Sequence, residues 1–350
     1  MPWWPVPPHG YGSCHAAVDA LGRGLHGLGH DVTLFAPEDS SCPVPRHPLP
    51  FRSQPDQAGD TGTEICYAVE VYRNIWDFDI VHDHTVVGAL HSRSFPDLRT
   101  VVFTNHGVFD TAMTRLLTAI SPWVSIVALS KAHAGSTSLP VAGWAHHGVD
   151  TDVFRFGAGR GGYLACLTRM AECKGVHLAC EVARRAGMEL RIAARIQTPD
   201  EKDYFDARVK PLLNKDIHFL GEVGLADKVE LLTEARALVN PIHWPEPFGL
   251  AMAESLACGT PVVTFPRGAA PEIVDDGVTG FLPRSVDEMV NACVDVGRID
   301  RRRCREVAAQ RFSLSAMARR HLSLYRRLIE AGGTKGTLRP EYCQTSASRS

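Results

Sequence analysis

The sequence contains no apolar stretch of about 18 residues, so no segment reads as a membrane-spanning helix. Its opening residues carry neither the basic block nor the apolar block of a secretory leader. Its 10 cysteines, Cys14, Cys166, Cys173 and Cys258 among them, are scattered without paired or zinc-ribbon spacing. The expectation is reduced thiols in a cytoplasmic protein, peripheral to the inner membrane face at most. An excess of one charge is also missing: 37 Lys and Arg stand against 39 Asp and Glu, which gives no bulk attraction for nucleic acid. A metal set is lacking too, because His82-Asp83-His84 has no third or fourth ligand nearby in sequence. That pair reads instead as a strand-end hydrogen-bonding element.

What is present is enough apolar residue, 45% of 350, for two cores rather than one. Short apolar runs at 80–82, 101–104 and 126–129, and again at 163–167, 188–194, 217–220, 237–240 and 262–265, alternate with helical patterns. This is the βαβ rhythm of parallel sheets, whose ligand crevices lie at the carboxyl ends of the strands. Polar residues and glycine at 146–150 suit a hinge between the two halves. Residues 38–63, rich in Pro, Ser, Gly and Asp, read as an excursion loop with at most one edge strand. Ser130, just after its strand, reads as a helix N-cap.

The first Gly-rich turn, Gly10-Tyr11-Gly12-Ser13, precedes a helix marked by Val18, Leu21, Leu25 and Leu28. A doubly wound fold reaches such a turn from a strand, yet the residues before it are dense in proline. The expectation is that the first strand is missing, either because the reading frame begins upstream or because the sequence is a fragment.

The chemistry concentrates in residues 244–261. A strand leads through Pro245, Pro247 and Gly249 into a short apolar helix that Gly259 closes. Glu246 stands before the helix, where free amides and the helix dipole favour a polar ligand, and Glu254 stands inside it. Eight residues of helix separate two side chains by about 10 Å, which suits two grips on one long ligand; two solvated glutamates on a surface turn are the plainer alternative. Arg169 and Lys174 share another turn, where a bidentate guanidinium and a point-charge ammonium can converge on one diphosphate, or simply face water.

Glu246-Pro-Phe-Gly-Leu, seven residues between the glutamates, Ala257-Cys-Gly-Thr-Pro-Val, Gly268-Ala-Ala-Pro-Glu272 and Asp276-Gly-Val-Thr-Gly280 together resemble the donor-site signature of retaining family 4 glycosyltransferases (glycosyl transferases group 1). Arg169, four residues, Lys174-Gly175 is similar to an element of the same family, as are Asn105-His106-Gly107 and His147-Gly148-Val149-Asp150. The resemblance implies a GT-B fold of class α/β, two Rossmann-like doubly wound domains facing across a cleft. The expected divisions are an acceptor domain at 1–155, a nucleotide-sugar domain at 156–312, a helix at 313–331 crossing back, and a disordered tail at 332–350.

The activity the resemblance implies is metal-independent, cofactor-free transfer of a hexose, with retention, from a UDP- or GDP-sugar to a hydroxyl acceptor that remains open. Arg169 and Lys174 would carry the leaving diphosphate, with amides at Gly12, Ser13, Gly249 and Leu250 helping. Glu246 would hold sugar hydroxyls, Glu254 the ribose, and His106 would face the sugar. Residues 221–224 would turn toward the nucleobase. The sequence departs from the family's pattern at Ser13 and His15, where a second glycine and an acid are usual. Two rival readings are a sugar-nucleotide epimerase and a nucleotide-sugar-binding relic without turnover. The arginine-rich stretch from Arg298 to Arg327 reads as a solvated helix face, or as a basic face for anionic lipid.

Overall fold

The computed structural model describes residues 1–10 and 12–333. The tail expected at 332–350 lies outside them, apart from the two positions that end the last helix.

In the N-terminal half the elements are α1 (Ser13–Gly27), β1 (Leu34–Phe35), β2 (Arg46–His47), α2 (Thr61–Arg73), β3 (Val81–Asp83), α3 (Val86–His91), β4 (Val101–Thr104), α4 (Thr111–Ile120), β5 (Val124–Ala128), α5 (Lys131–Ala134) and β6 (Gly143–Trp144). Side-chain caps start several helices: Asp60 accepts from Thr63 N, Asp110 from Met113 N and Ser130 from His133 N. The excursion loop is shorter than its composition suggests, because Asp60 nucleates α2 within it and β2 pairs in parallel with β1.

The second half holds β7 (Leu164–Arg169), α6 (Val176–Ala186), β8 (Leu190–Arg195), α7 (Pro199–Tyr204), β9 (Ile217–Gly221), α8 (Leu225–Glu234), β10 (Ala237–Asn240), α9 (Leu250–Ala257), β11 (Val262–Thr264), α10 (Ala270–Ile273), β12 (Gly280–Phe281), α11 (Val286–Asp295), α12 (Arg301–Phe312) and α13 (Leu314–Gly333). Its six strands lie parallel in the order β12-β11-β10-β7-β8-β9. That is a doubly wound sheet with its switch point between β7 and β10. Apolar cores cover both faces, one built on α8, α9 and α12 and the other on α6 and α11, so the central strands β10 and β11 are dominated by buried apolar residues.

The N-terminal sheet is divided. β3-β4-β5-β6 form one parallel sheet and β1-β2 another, and no strand precedes α1 among the described residues. β1 and β3 border one cavity of about 160 Å³, lined by Leu34, Phe35 and Ala36 from one side and Val81, His82 and Asp83 from the other. A doubly wound order has a strand at this place.

α13 leaves the second half and packs on the first. Its Met317 meets Ala20 and Leu21 of α1, and its Leu324 and Tyr325 meet Val102 and Val127. Gly24 permits the crossing, since a Cβ there would lie 2.6 Å from the Leu314 carbonyl oxygen.

The arginine-rich segment does not form one basic face. Arg301 donates to the carbonyls of Gly157, Ala235 and Thr233 and to Thr260 Oγ1, at 2.6–3.0 Å. Arg305 donates to the Thr151, Phe154 and Ala257 carbonyls. Arg311 pairs with Asp275, and Arg320 donates to the Arg311 carbonyl. These four guanidiniums satisfy loop and helix-end carbonyls that would otherwise be orphaned. The expectation of one solvated or lipid-facing surface is corrected for these four; Arg298, Arg302, Arg303, Arg319, Arg326 and Arg327 are exposed.

Two outcomes follow from this packing. Arg301→Ala strips four carbonyl and hydroxyl partners at once and is expected to cost about 3–5 kcal/mol by denaturant titration, while exposed Arg302→Ala changes stability by about 0.5 kcal/mol or less. An apolar segment of about five residues fused ahead of Met1 is expected to pair between β1 and β3 and raise the melting temperature, and the same segment interrupted by prolines is not.

Candidate active site in the interdomain cleft

A cavity of about 290 Å³ lies between the halves at the carboxyl ends of β7, β8 and β10. Gly12, Ser13, His106, Arg169, Lys174, Glu246, Gly249, Leu250 and Glu254, which are distant in sequence, all line it.

Neither glutamate is a solvated surface residue. Glu246 Oε2 accepts from Lys174 Nζ at 2.5 Å and from Trp244 Nε1 at 2.7 Å, and the same ammonium sits 4.4 Å from the Trp244 ring centroid. The loop carrying Glu246 is held from behind. Gly268 has φ +55°, a Cβ there would fall 2.3 Å from the Glu246 backbone, and Ala269 N donates to Glu246 O. Only glycine fits such a contact. Gly249, at φ +94°, turns the chain into α9. One turn on, Glu254 is 5% exposed and accepts from Lys228 Nζ at 2.6 Å. Two carboxylates are thus kept in a partly dry site because each meets an ammonium.

The cations are equally engaged. Arg169 Nε lies 3.1 Å from Glu201 Oε1, and the other oxygen of Glu201 accepts from Gln197 N and Thr198 N at the capping box of α7. The two expected diphosphate groups therefore hold protein carboxylates here.

From the other half comes a stack of imidazoles. His106 Nε2 is 2.9 Å from His84 Nδ1, and its ring stacks on His147 at 5.3 Å between centroids. His84 stacks on His82 at 4.3 Å, and His82 bridges Tyr325 OH at 2.5 Å and Thr104 Oγ1 at 2.7 Å. Burial, reinforced by neighbouring histidines, holds His82, His84 and His147 well below the ordinary value; burial likewise takes His106 to about 3 and His321 to about 4. The cluster is neutral near pH 7, so its rings act as hydrogen-bonding and stacking groups. His82 and His84 have the strand-end role expected of them, in a larger array than their spacing reveals.

At the Gly-rich turn, a Cβ on Gly12 would lie 2.8 Å from Pro8 Cβ, which demands glycine there, whereas Ser13 is exposed at the first position of α1. His15 is 3% exposed, faces Trp4 edge-on, and borders the smaller cavity rather than the cleft. Behind the site, Glu272 ties the halves together by accepting from Lys131 N, Ala132 N and His146 Nε2 at 2.6–3.0 Å.

Sequence reasoning missed several cleft residues. Lys228 lies four positions past Gly224 at the start of α8, and nothing local pairs it with Glu254. Arg23 and Asp150 line the cavity and meet at 2.6 Å, although 127 positions separate them. Arg195, at the end of β8, falls one position beyond the run at 188–194.

Comparisons with known proteins bear on the family and the fold. Residues 161–297 match the family described as glycosyl transferases group 1, and residues 16–138 match glycosyltransferase family 4. The chain belongs to the group 1 glycosyltransferases. Its fold is GT-B. This glycosyltransferase-family chain is 30% identical over 187 residues to α-maltose-1-phosphate synthase of Mycobacterium tuberculosis, a match that covers 46% of each protein. The chain thus spans just under half the length of that curated relative. Among solved structures, AviGT4, described as a glycosyltransferase involved in avilamycin A biosynthesis, superposes with a TM-score of 0.71 at 23% identity, covering 94% of this chain and 93% of that one. Alr3699/HepE of Anabaena, solved with UDP and glucose, gives 0.68 at 17% identity, covering 92% and 96%.

The imidazole stack sets a pH dependence. The folded chain keeps these rings neutral below the ordinary value of about 6.5, so the unfolded chain takes up protons first as the pH falls. Stability is fully present above that value and is lost on the way down towards the folded values of about 3 for His106 and about 4 for His321. Denaturant titrations between pH 7 and pH 5 should show a loss of up to about 1.4 kcal/mol per pH unit for each histidine involved. A flat profile would contradict a neutral cluster.

Proposed function

We propose that this group 1 glycosyltransferase moves a hexose, with retention and without a metal, from a nucleoside-diphosphate sugar to a hydroxyl acceptor. UDP-sugars are the first donors to test, since Alr3699/HepE was solved with UDP and glucose. The observation that carries the reading is the convergence on one cavity of two cations, two paired carboxylates and a histidine from the facing domain.

In the proposed reaction the bond from the sugar's anomeric carbon to the diphosphate oxygen breaks. The acceptor oxygen bonds to that carbon on the same face, and its proton passes to the departing phosphate. No protein nucleophile is assigned. The demand on the protein is to stabilise charge on the leaving group in a site that excludes water. Arg169 and Lys174 meet it from one wall, and the amides at the starts of α1 and α9 meet it from others. Glu246, released from Lys174 as that ammonium turns to phosphate, takes sugar hydroxyls. Glu254 takes the ribose, and neutral His106 offers a hydrogen bond to the sugar.

Turnover of UDP-glucose and GDP-mannose against an acceptor panel tests this, with donor-only incubations alongside. Arg169→Ala and Glu246→Ala are each expected to lower kcat/KM by about 10²–10³-fold. An epimerised sugar without acceptor would favour the epimerase reading, and donor binding without turnover on any acceptor would favour the silent one.

A further inference from the structure

Arg195 is a further cation of the cleft, beside Arg169 and Lys174. β7 and β8 pair in parallel with Arg169 directly beside Arg195, so both arginines stand at carboxyl ends of adjacent strands and line one cavity with Lys174. The Arg195 side chain is only 13% exposed. Its guanidinium lies 4.9 Å from the ring centroid of Trp4, which belongs to the facing domain, and its Nε is 3.7 Å from Glu222 Oε2. Glu222 in turn abuts the Gly-rich turn, since a Cβ on Gly10 would fall 2.5 Å from its Oε1. Arg195 thus lies beside an aromatic face and a carboxylate at the edge of an open cavity.

We propose that Arg195 is a further donor-binding residue, which takes the diphosphate together with Arg169 and Lys174 and is held in place across the cleft by Trp4. This rests on the reading of the cleft as a nucleotide-sugar site. A planar guanidinium can stack on an indole and still present donors in its own plane, and a bidentate contact to phosphate uses that plane. Three cations spread over two adjacent strand ends and the following turn suit two linked phosphates better than one. Trp4 comes from the other domain, so phosphate held by Arg195 also favours the closed arrangement of the halves.

The test is calorimetric titration of the full chain with UDP and UMP. Arg195→Gln is expected to weaken UDP by about tenfold or more and UMP by much less, and Arg195→Lys, which keeps the charge and loses the stacked plane, should fall between wild type and Arg195→Gln. Trp4→Leu should weaken UDP by about threefold through loss of the stack. Melting temperatures of the ligand-free variants identify any that fail to fold, and Arg195→Lys then carries the comparison. If Arg169→Ala abolishes UDP binding while Arg195→Gln and Arg195→Lys bind like wild type, the role of Arg195 is overturned and the donor site stands. Equal weakening of UMP and UDP by Arg195→Gln would also overturn a diphosphate role. If the wild type binds neither UDP nor GDP, the reading of the site itself fails.

Discussion

A charge removed from water must find a partner, and the cleft is arranged around that requirement. Lys174 meets Glu246, Lys228 meets Glu254, Arg169 meets Glu201 and Arg23 meets Asp150. Each pair joins residues that sequence separates, so the pairing itself draws the β7 turn, the α9 loop, α8 and α1 around one space. Such pairs add little net stability, because desolvation offsets attraction. What they contribute is position, since each cation and each carboxylate on this polar wall is fixed by its partner.

Most of the second half was legible in sequence because its signals are local. Gly249 and Gly268 mark backbone conformations that only glycine adopts without strain, and the runs at 237–239 and 262–263 are apolar because both sheet faces are covered. The spacing of Arg169 and Lys174 sits within one strand-to-helix turn, and that of Glu246 and Glu254 within one loop and the helix it starts. The cavity gathers these residues for the same reason, since strand ends on one side of a parallel sheet all point toward the crevice.

What escaped the sequence is what depends on two distant segments meeting. Lys228 and Arg195 carry no signal until α8 and β8 are laid beside α9 and β7. His147 was a hinge residue by motif, yet its ring completes a stack begun by His82 and His84 on another strand. The C-terminal arginines misled for a related reason. Composition counts charge but not direction, and Arg301 and Arg305 spend theirs on carbonyls of residues 151–157 and 233–260.

The chain crosses between the halves twice, near Gly148 and near Ser313, and the crossings lie side by side: Val149 N donates to Phe312 O at 2.6 Å, and those two stretches form a parallel bridge. Two adjacent strings behave as an axle. Sliding one half past the other would stretch one crossing and slacken its neighbour, whereas rotation about the line through them strains neither. Rotation about these paired crossings is therefore the least restrained movement of one half against the other.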